Sequence, residues 1–408
     1  MLRYRILAVV IAAAARVGAT HVVAAQERPA TAVFVSVAAG EYHSCGLTRD
    51  GAAYCWGLNM HGELGAASTD QCSVGRQKVP CARRPIAVTG ELRFTAVAVG
   101  SFHTCGLTAQ GEAYCWGENA AGQLGSGDTV HTSTTPLPVA GGKHFTMLTG
   151  GSRQTCALES GGAAYCWGLN DLGQLGSDST PDFCPTPTGR VPCRWTPVAV
   201  AGGETYKSIS AGLEHICALS ENEAAYCWGR GYERQPTAIP GGYTFVAISA
   251  GGEYRRGCGL TTSGIPYCWG LFIIAPRVAW PVVNPRRGGS WTTSADTTAW
   301  RFASVNMGAD HFCGVTMSGV AYCWGANDEG QLGVGDLLNE PLSIDPLAVA
   351  GNLKFSMVSG GFSHTCGVTT DGLIYCWGEN NVGQLGDGST DSRNKPSAIA
   401  WWSGAATP

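Results

Sequence analysis

Paired cysteines are the residues with the clearest chemistry in this chain. The tetrapeptide Tyr-Cys-Trp-Gly occurs seven times, and each of its cysteines has a partner ten positions earlier. The pairs are Cys45-Cys55, Cys105-Cys115, Cys156-Cys166, Cys217-Cys227, Cys258-Cys268, Cys313-Cys323 and Cys366-Cys376. Structural zinc usually takes cysteines two to four positions apart, so a spacing of ten favours disulfides over a metal site.

A spacing of ten fits a strand, a tight turn and a returning strand. If Cys45 faces Cys55 across an antiparallel pair, the turn left over is residues 49–51, and its last position favours left-handed glycine. Directly opposed residues lie about 4.5–5.5 Å apart, which a disulfide can bridge. Glycine occupies the position in six of the seven repeats, at Gly51, Gly111, Gly162, Gly264, Gly319 and Gly372. The fourth repeat has Glu223, which predicts a strained or differently built turn.

The remaining four cysteines lie in two long loops, "CSVGRQKVPC" and "CPTPTGRVPC". Each loop predicts one local disulfide, Cys72-Cys81 in the first and Cys184-Cys193 in the second. A closed loop loses little entropy on binding a partner, and it also resists proteolysis. Both interpretations of the two closed loops stay open.

Five histidines lie two positions before the first cysteine of a pair: His43, His103, His215, His311 and His364. A ring of imidazoles is chemically suited to metal binding or proton transfer. One imidazole per repeat, however, predicts separate and equivalent environments, and two repeats have Gln154 and Arg256 instead. We therefore predict buried imidazoles that each hydrogen-bond a neighbouring turn, with no metal site.

Acidic and nucleophilic residues offer no recognisable reaction centre. Four aspartates follow glycine-rich segments, where too few acidic ligands occur for calcium and turn formation is expected: Asp128, Asp178, Asp336 and Asp387. Ser392 and Lys395 match the Ser-x-x-Lys spacing but lie in a polar stretch. A nucleophile elbow and a phosphate-binding glycine loop are both missing from the sequence. We predict no catalytic residue and no cofactor.

The N-terminus predicts export. Arg3 and Arg5 precede an apolar run over residues 6–15, and small residues at 23–25 favour cleavage after Ala25. The run is too short to span a bilayer, so membrane insertion is not expected. Removing residues 1–25 takes away three arginines and changes the formal charge from −4 to −7, which disfavours nucleic acid as a partner. We expect a secreted or periplasmic protein, in which disulfides persist.

Two further patterns complete each repeat. An aromatic strand precedes the first cysteine, as at Phe34 and Phe94, and a Pro-x-x-Val-like strand follows the hairpin, as at 85–88. Four short strands in each of seven repeats predict an all-β, seven-bladed β-propeller with four-stranded blades. The predicted organisation is a signal peptide at 1–25, a linker at 26–33, a monomeric propeller at 34–402 and a tail at 403–408. Pairing of the C-terminal strand with the N-terminal strands is expected to close the ring.

The segment after the hairpin identifies the repeat. Asn-x-x-Gly-Gln-Leu-Gly appears at 119–125, 170–176, 327–333 and 380–386, and 59–65 is a variant with Glu63. Together with the preceding Trp-Gly, this segment resembles the repeat of the regulator-of-chromosome-condensation family, whose members are seven-bladed propellers. The fourth and fifth repeats lack the segment, so irregular blades are expected there. The resemblance implies that the protein binds macromolecules. Nuclear members of the family act as exchange factors for a small GTPase, so the resemblance also implies this activity.

Residues that depart from the repeat are the candidate contact residues. Residues 271–300 gather tryptophans and arginines, the residue types enriched at interface hot spots, although tryptophans also fill gaps between blades. The candidate partner-binding residues are Arg76, Lys78, Arg190, Trp195, Trp280, Arg286, Arg287 and Trp291.

These observations predict an exported scaffold that binds a protein or a glycan through loops on a propeller face, without catalysis. Two alternatives stay open: an exchange-factor-like regulator, and an extracellular carbohydrate-active enzyme with its site at the channel mouth. Perturbed carboxylates converging in one pocket would favour the enzyme. A broad apolar patch edged with arginine would favour binding.

Overall fold

The computed structural model describes residues 32–177, 182–186, 189–252, 256–270, 280–281, 301–335 and 341–401. These ranges contain 30 β-strands in seven antiparallel sheets and no α-helix. Each sheet comes from one sequence repeat, so the predicted seven-bladed propeller is confirmed. The predicted four strands occur in five blades, whereas the first and third blades have five, because their disulfide-closed loops form an additional strand.

The blades are numbered here in chain order. Blade 1 contains β1 (Phe34–Ala39), β2 (His43–Thr48), β3 (Ala53–Leu58), β4 (Asp70–Val74) and β5 (Gln77–Ala87). Blade 2 contains β6 (Phe94–Val99), β7 (His103–Thr108), β8 (Ala113–Glu118) and β9 (Thr132–Pro138). Blade 3 contains β10 (Phe145–Gly150), β11 (Gln154–Glu159), β12 (Ala164–Leu169), β13 (Asp182–Thr186) and β14 (Gly189–Ala199).

The later blades have four strands each. Blade 4 contains β15 (Tyr206–Ala211), β16 (His215–Ser220), β17 (Ala225–Gly229) and β18 (Thr237–Ala238). Blade 5 contains β19 (Ala247–Ala250), β20 (Gly257–Leu260), β21 (Pro266–Trp269) and β22 (Trp280–Pro281). Blade 6 contains β23 (Phe302–Met307), β24 (His311–Thr316), β25 (Ala321–Ala326) and β26 (Leu342–Ala348). Blade 7 contains β27 (Phe355–Gly360), β28 (His364–Thr369), β29 (Ile374–Gly378) and β30 (Arg393–Ala398).

The aromatic strand of each repeat is the innermost strand of its blade. Around the centre, β1 lies beside β6, and the contacts continue through β10, β15, β19, β23 and β27 back to β1. The two cysteine strands follow outward, and Cys45 faces Cys55 in the predicted register. The same opposition recurs in all seven blades.

All 18 cysteines are joined in nine local disulfides. The seven hairpin bridges join cysteines whose Cα atoms are 4.0–4.1 Å apart, because directly opposed strand residues approach closely. The two loop bridges, Cys72-Cys81 and Cys184-Cys193, join Cα atoms 5.8 Å apart.

The glycine-rich segment of each regular blade folds on itself and points one carbonyl at the next blade. In blade 2, Asn119 Oδ1 accepts from the Leu124 amide at 3.0 Å. The Gln123 carbonyl then accepts from Trp167 Nε1 and from Thr155 Oγ1 of blade 3, both at 2.9 Å. The segment therefore joins neighbouring blades through buried polar groups that satisfy each other.

The expected pairing of the terminal strands is not what joins blades 7 and 1. Strand β30 pairs with β29, and β1 pairs with β2. Instead, the Gln384 carbonyl accepts from Trp56 Nε1 at 2.9 Å, as at the other junctions, and Trp401 stacks on Phe34 with centroids 5.9 Å apart. Because each blade takes all its strands from one repeat, the last junction is built like the others and needs no shared strand.

Blades 4 and 5 are irregular, as their missing segments predict. Strand β18 has two residues, and Trp269 of blade 5 finds no glutamine carbonyl but donates to the Tyr232 hydroxyl at 2.8 Å. Trp324 Nε1 of blade 6 has no partner among the residues described.

Several predictions concern residues outside the described ranges. The signal peptide at 1–25, the tail at 403–408, and Arg286, Arg287 and Trp291 are among them, and of Trp280 only the backbone pairing with Cys268 is described. In the described ranges, no helix has the length and apolar character needed to cross a bilayer.

Candidate functional site

Two disulfide-closed hairpins extend from the same face of the ring. We call residues 70–81 arm 1, in blade 1, and residues 182–193 arm 3, in blade 3, of which 182–186 and 189–193 are described. Each arm pairs with the last residue of its third strand, Cys81 with Leu58 and Cys193 with Leu169. The Leu58 amide also donates to the Tyr42 carbonyl, in the turn after the inner strand, at 3.0 Å. Both arms therefore project from the face that carries these turns and the channel mouth, here called the mouth face.

Strand alternation gives each arm a packed side and an outward side. In arm 1 the disulfide and Val79 pack against Leu58 and against Val382 of blade 7. In arm 3 both cysteines are also fully buried. Residues of the other parity point outward, and they are exposed in both arms: Gln71, Ser73 and Lys78 in arm 1, and Phe183, Pro185 and Arg190 in arm 3. A buried disulfide and a strand ladder together hold the outward side chains in place before any partner binds.

The outward side of arm 3 forms a groove with a loop of blade 2. The groove has a cavity volume of about 500 Å³ and is lined by Thr129, His131, Asp182, Phe183, Pro185, Arg190 and Trp195. Phe183 is 49% exposed, so a large apolar ring faces solvent. The Arg190 guanidinium lies over this ring, 5.8 Å from its centroid, and donates to the Phe183 carbonyl at 3.4 Å.

Among the described residues of the groove, one cation, Arg190, has no carboxylate partner. The carboxylate of the groove, Asp182, is engaged by Arg194 at 3.9 Å and by the Trp195 amide at 3.5 Å. The contacts of Arg190 within the described ranges are with Phe183 and none is with a carboxylate. The electrostatic character of the groove is therefore cationic over an apolar floor.

The structure brings together two of the predicted contact residues, Arg190 and Trp195, in this groove. Arg76 and Lys78 lie on arm 1, with blade 2 between the two arms, and are exposed. Sequence reasoning missed Phe183, although it stands directly before a loop cysteine. It also missed the contribution of His131, because no local pattern links a blade 2 loop to arm 3.

The five histidines have a structural role. All are fully buried, and His103 Nε2 lies 2.9 Å from Thr155 Oγ1 of the next blade. The Thr155 hydroxyl donates to the Gln123 carbonyl, so its oxygen accepts from Nε2–H. His103 Nδ1 is buried without a partner among the described residues, so burial favours the neutral imidazole. Four of the five bond a strand hydroxyl of the next blade, which corrects the expected turn partner. His215 bonds the carbonyl of Arg256, in the connection between β19 and β20, as expected of a turn partner.

Burial lowers the pKa of these imidazoles far below the ordinary value. The pKa falls to about 4 for His103, His215 and His311, and to about 3 for His43 and His364, where neighbouring histidines add to the effect of burial. No three His, Cys, Asp or Glu side chains in the described part of the chain are grouped to hold a metal ion.

The channel mouth is narrow and built from small residues. Glu41 is the one carboxylate among the described lining residues. The wall contains ten glycines, Gly40, Gly100, Gly150, Gly151, Gly212, Gly251, Gly252, Gly308, Gly360 and Gly361. A Cβ on Gly100 would lie 2.3 Å from His103 Cε1 and 2.5 Å from the Gly151 carbonyl, so the glycines permit this close packing. The described lining contains no converging group of carboxylates.

Carboxyl groups with a raised pKa lie elsewhere. Burial raises the pKa of Glu63, between blades 1 and 2, to about 7. The pKa of Glu379 in blade 7 is also raised, mainly by burial and to a smaller extent by the negative charge of Glu329. Neither group lines the arm 3 groove.

Most of the chain matches copies of one repeat type when it is compared with known protein families. A model of the Regulator of chromosome condensation (RCC1) repeat matches residues 50–107, 110–158, 161–219, 318–368 and 371–405. A second model of this repeat matches residues 34–63, 94–123, 206–235, 302–331 and 357–384.

Characterised relatives differ widely in the share of their length that the chain covers. The chain is 28% identical to the Ultraviolet-B receptor UVR8 of Arabidopsis thaliana over 364 residues, covering 88% of the chain and 68% of the receptor. It is 27% identical to the Secretion-regulating guanine nucleotide exchange factor of Bos taurus, covering 82% of the chain and 61% of that protein. It is 28% identical to the E3 ubiquitin-protein ligase HERC2 of Homo sapiens, covering 82% of the chain but 6% of the ligase.

Solved structures share the architecture. Human WBSCR16 superposes with a TM-score of 0.70 at 17% identity, covering 86% of this chain and 94% of that one. Prp20p of Saccharomyces cerevisiae superposes with a TM-score of 0.66 at 21% identity, covering 90% of this chain and 87% of that one. At these identities the superpositions show the fold alone.

Proposed function

Because the chain belongs to the regulator of chromosome condensation repeat family, we propose that it is an exported scaffold that binds a partner protein through its mouth face, without catalysis. The observation that carries the proposal is the arm 3 groove, in which a half-exposed Phe183 and Trp195 lie beside Arg190, which has no carboxylate partner among the described residues. Aromatic residues and arginine dominate interface hot spots, and the disulfide lowers the entropy lost on binding.

The nine disulfides indicate an oxidising compartment. The basic and apolar N-terminal pattern of residues 1–25 supports export as the route to such a compartment. A secreted or periplasmic location then favours a partner in the cell envelope or outside the cell.

The two alternatives receive less support. A guanine nucleotide exchange factor is among the relatives, but an oxidising compartment separates this chain from a cytosolic GTPase. A carbohydrate-active enzyme would need paired carboxylates at the channel mouth. Glu41 is the one carboxylate that the described residues place there.

Affinity capture tests the proposal. The oxidised ring lacking residues 1–25 is used as bait, beside the variant Arg190→Ala/Trp195→Ala, against envelope and secreted proteins of the producing cell. Removing two hot-spot side chains is expected to lower partner recovery by about tenfold or more. Met317→Ala, which removes an 81% exposed side chain from a turn on the opposite face, is the matched control and is expected to keep full recovery. Loss of the partner with Met317→Ala alone, or failure of every bait to capture a protein, contradicts the proposal.

A further inference from the structure

The two arms share one framework, which makes each a control for the other. Both have a disulfide between cysteines nine residues apart, and both have an aspartate at the same register opposite the second cysteine. Asp70 Oδ2 accepts from the Arg83 amide at 3.2 Å, and Asp182 Oδ2 accepts from the Trp195 amide at 3.5 Å. Arg83 and Trp195 therefore occupy equivalent positions, two residues after the second cysteine.

At two equivalent positions the arms differ in chemistry. Blade 1 has Gln71 in arm 1 and Arg83 just after it, where blade 3 has Phe183 in arm 3 and Trp195 just after it. Arg83 forms an ion pair with Asp70 at 3.3 Å, so arm 1 folds with polar groups at both positions. The framework does not require aromatic residues there. In blade 3 the aromatic pair leaves apolar surface exposed at the groove. Covering this surface with a ligand removes it from water, which is favourable, so an exposed apolar patch of this kind marks a binding site.

At a third position the arms agree. Lys78 and Arg190 lie at the same register, three residues before the second cysteine, on the outward side. Neither loop sequence between the cysteines contains an acidic residue, although the whole chain has a formal charge of −4. Arm 1 adds the exposed Arg76 at its tip. Between their cysteines both arms thus carry positive charge alone, on an acidic protein, and a complementary partner surface is anionic.

We infer that the arm 3 groove recognises an acidic segment of the partner protein, in which one aromatic or large aliphatic side chain is flanked by carboxylates. The inference rests on the proposed function and specifies the partner's chemistry. The apolar side chain enters the cavity of about 500 Å³ between Phe183, Pro185 and Trp195. A flanking carboxylate pairs with Arg190, whose planar guanidinium can bind it through two parallel hydrogen bonds. The cations of arm 1 raise the association rate of an acidic segment.

Defined peptides test this specificity directly. The probe is the fluorescein-labelled peptide Gly-Glu-Asp-Trp-Asp-Glu-Gly, compared by fluorescence polarisation with one peptide in which lysine replaces each acid and another in which alanine replaces tryptophan. The oxidised ring is expected to bind the acidic tryptophan peptide about tenfold or more tightly than either comparison peptide. Affinity is expected to fall as salt rises, because exposed charges are screened.

The matched variant transfers the arm 1 residues into arm 3. Phe183→Gln/Trp195→Arg is compatible with the shared framework, and it is expected to reduce peptide affinity by about tenfold. Arg190→Ala is expected to reduce affinity for the acidic peptide and to abolish the preference over the lysine peptide. Gln71→Ala, at the equivalent of Phe183 in arm 1, is expected to leave affinity unchanged.

Each outcome separates the inference from the proposed function. If affinity capture finds a partner through the mouth face while the acidic peptide binds no better than the lysine peptide, the scaffold function stands and this specificity is wrong. Tight binding of heparin with no peptide binding would assign the cations to an anionic glycan and would overturn the inference. Equal binding by wild type and Phe183→Gln/Trp195→Arg would also overturn it.

Discussion

Glu63 shows how one atom changes the chemistry of a repeated position. Its side chain accepts from the His61 amide at 2.6 Å, as Gln123 accepts from the Ala121 amide in blade 2. The other terminal atom of the two side chains differs. Gln123 Nε2 donates to Glu118, whereas Glu63 Oε1 is buried without a partner among the described residues. The carboxyl therefore occupies the position that an amide has in the other segments, and burial raises its pKa to about 7.

Glu63→Gln is expected to stabilise the ring in a pH-dependent way. A carboxyl whose pKa is raised on folding stabilises the folded state below its unfolded pKa of about 4.5, and this contribution is lost as pH rises through about 7. Glutamine does not ionise, so the variant does not lose stability as pH rises. Its free energy of unfolding relative to the wild type therefore increases, to about 3 kcal/mol above pH 7. Urea unfolding at pH 5 and pH 8, without reductant, measures the difference.

The control for this prediction reverses the substitution in blade 7. Gln384→Glu places a carboxyl in the equivalent segment, where Gln384 Oε1 accepts from the Val382 amide at 3.0 Å. It is expected to destabilise the ring more at pH 8 than at pH 5. A gain from Glu63→Gln that is the same at both pH values would show that packing, and not ionisation, causes it.

The three-residue hairpin turn shows what the element demands of its sequence. Gly51 has φ 83° and its amide donates to the Thr48 carbonyl at 2.9 Å. Glu223 has φ 65° and its amide donates to the Ser220 carbonyl at the same distance. The fourth turn is therefore built like the others, and the strain lies on a residue with a Cβ atom in the left-handed region.

Glu223→Gly is expected to raise the free energy of unfolding by about 1 kcal/mol, because glycine adopts this backbone conformation without a steric penalty. The exposed ion pair between Glu223 and Lys207, at 3.2 Å, offsets little of the gain. Thermal unfolding measures the effect. Glu223→Ala loses the same ion pair but keeps the Cβ atom, so it is expected to show no gain; equal stabilisation by alanine and glycine would contradict the backbone explanation.

At the scale of the whole molecule, buried polar side chains join the blades into a ring. Four junctions each contain an imidazole, a strand hydroxyl, a segment carbonyl and an indole, and the one between blades 7 and 1 contains His364, Ser44, Gln384 and Trp56. Because the imidazoles are neutral and enclosed, protonating one leaves a charge in a site that has no acceptor for it. The ring is therefore expected to be sensitive to acid at several junctions together.

The free energy of unfolding is expected to fall as pH drops from about 6.5 to about 4. A histidine whose pKa is lowered on folding destabilises the folded state once the unfolded chain takes up its proton, which begins at the unfolded pKa of 6.5. Each such histidine lowers the free energy of unfolding by up to about 3 kcal/mol once the pH has fallen to its folded-state pKa. Thermal unfolding of the oxidised protein from pH 7 to pH 4 measures the slope.

His103→Gln is the matched variant for the acid response. Blade 3 already has Gln154 at this position, and its Nε2 donates to the Leu213 carbonyl at 2.9 Å. The variant is expected to flatten the dependence on pH while changing stability at pH 7 by less than about 2 kcal/mol. An unchanged slope would show that the acid response comes from other groups, such as surface carboxylates.

Local patterns in the sequence determined the architecture. Cysteines ten apart, a glycine at the turn and a recurring Tyr-Cys-Trp-Gly specify the hairpin register, the disulfide partners and the number of blades, because all three depend on residues close together in the chain. The same periodicity marked Arg190 and Trp195 as departures from the repeat. It also located the two irregular blades, at the repeats that lack the glycine-rich segment.

Only the tertiary structure decided which residues meet across blades. Trp56 donates to the carbonyl of Gln384, 328 positions away, and the histidine partners lie in the next repeat, where the sequence shows only an ordinary strand. The groove likewise joins Phe183 and Trp195 of blade 3 to His131 of blade 2, and it lies beside one arm and not the other. Contacts of this kind follow from how whole blades pack around the axis, and no short spacing in the chain encodes them.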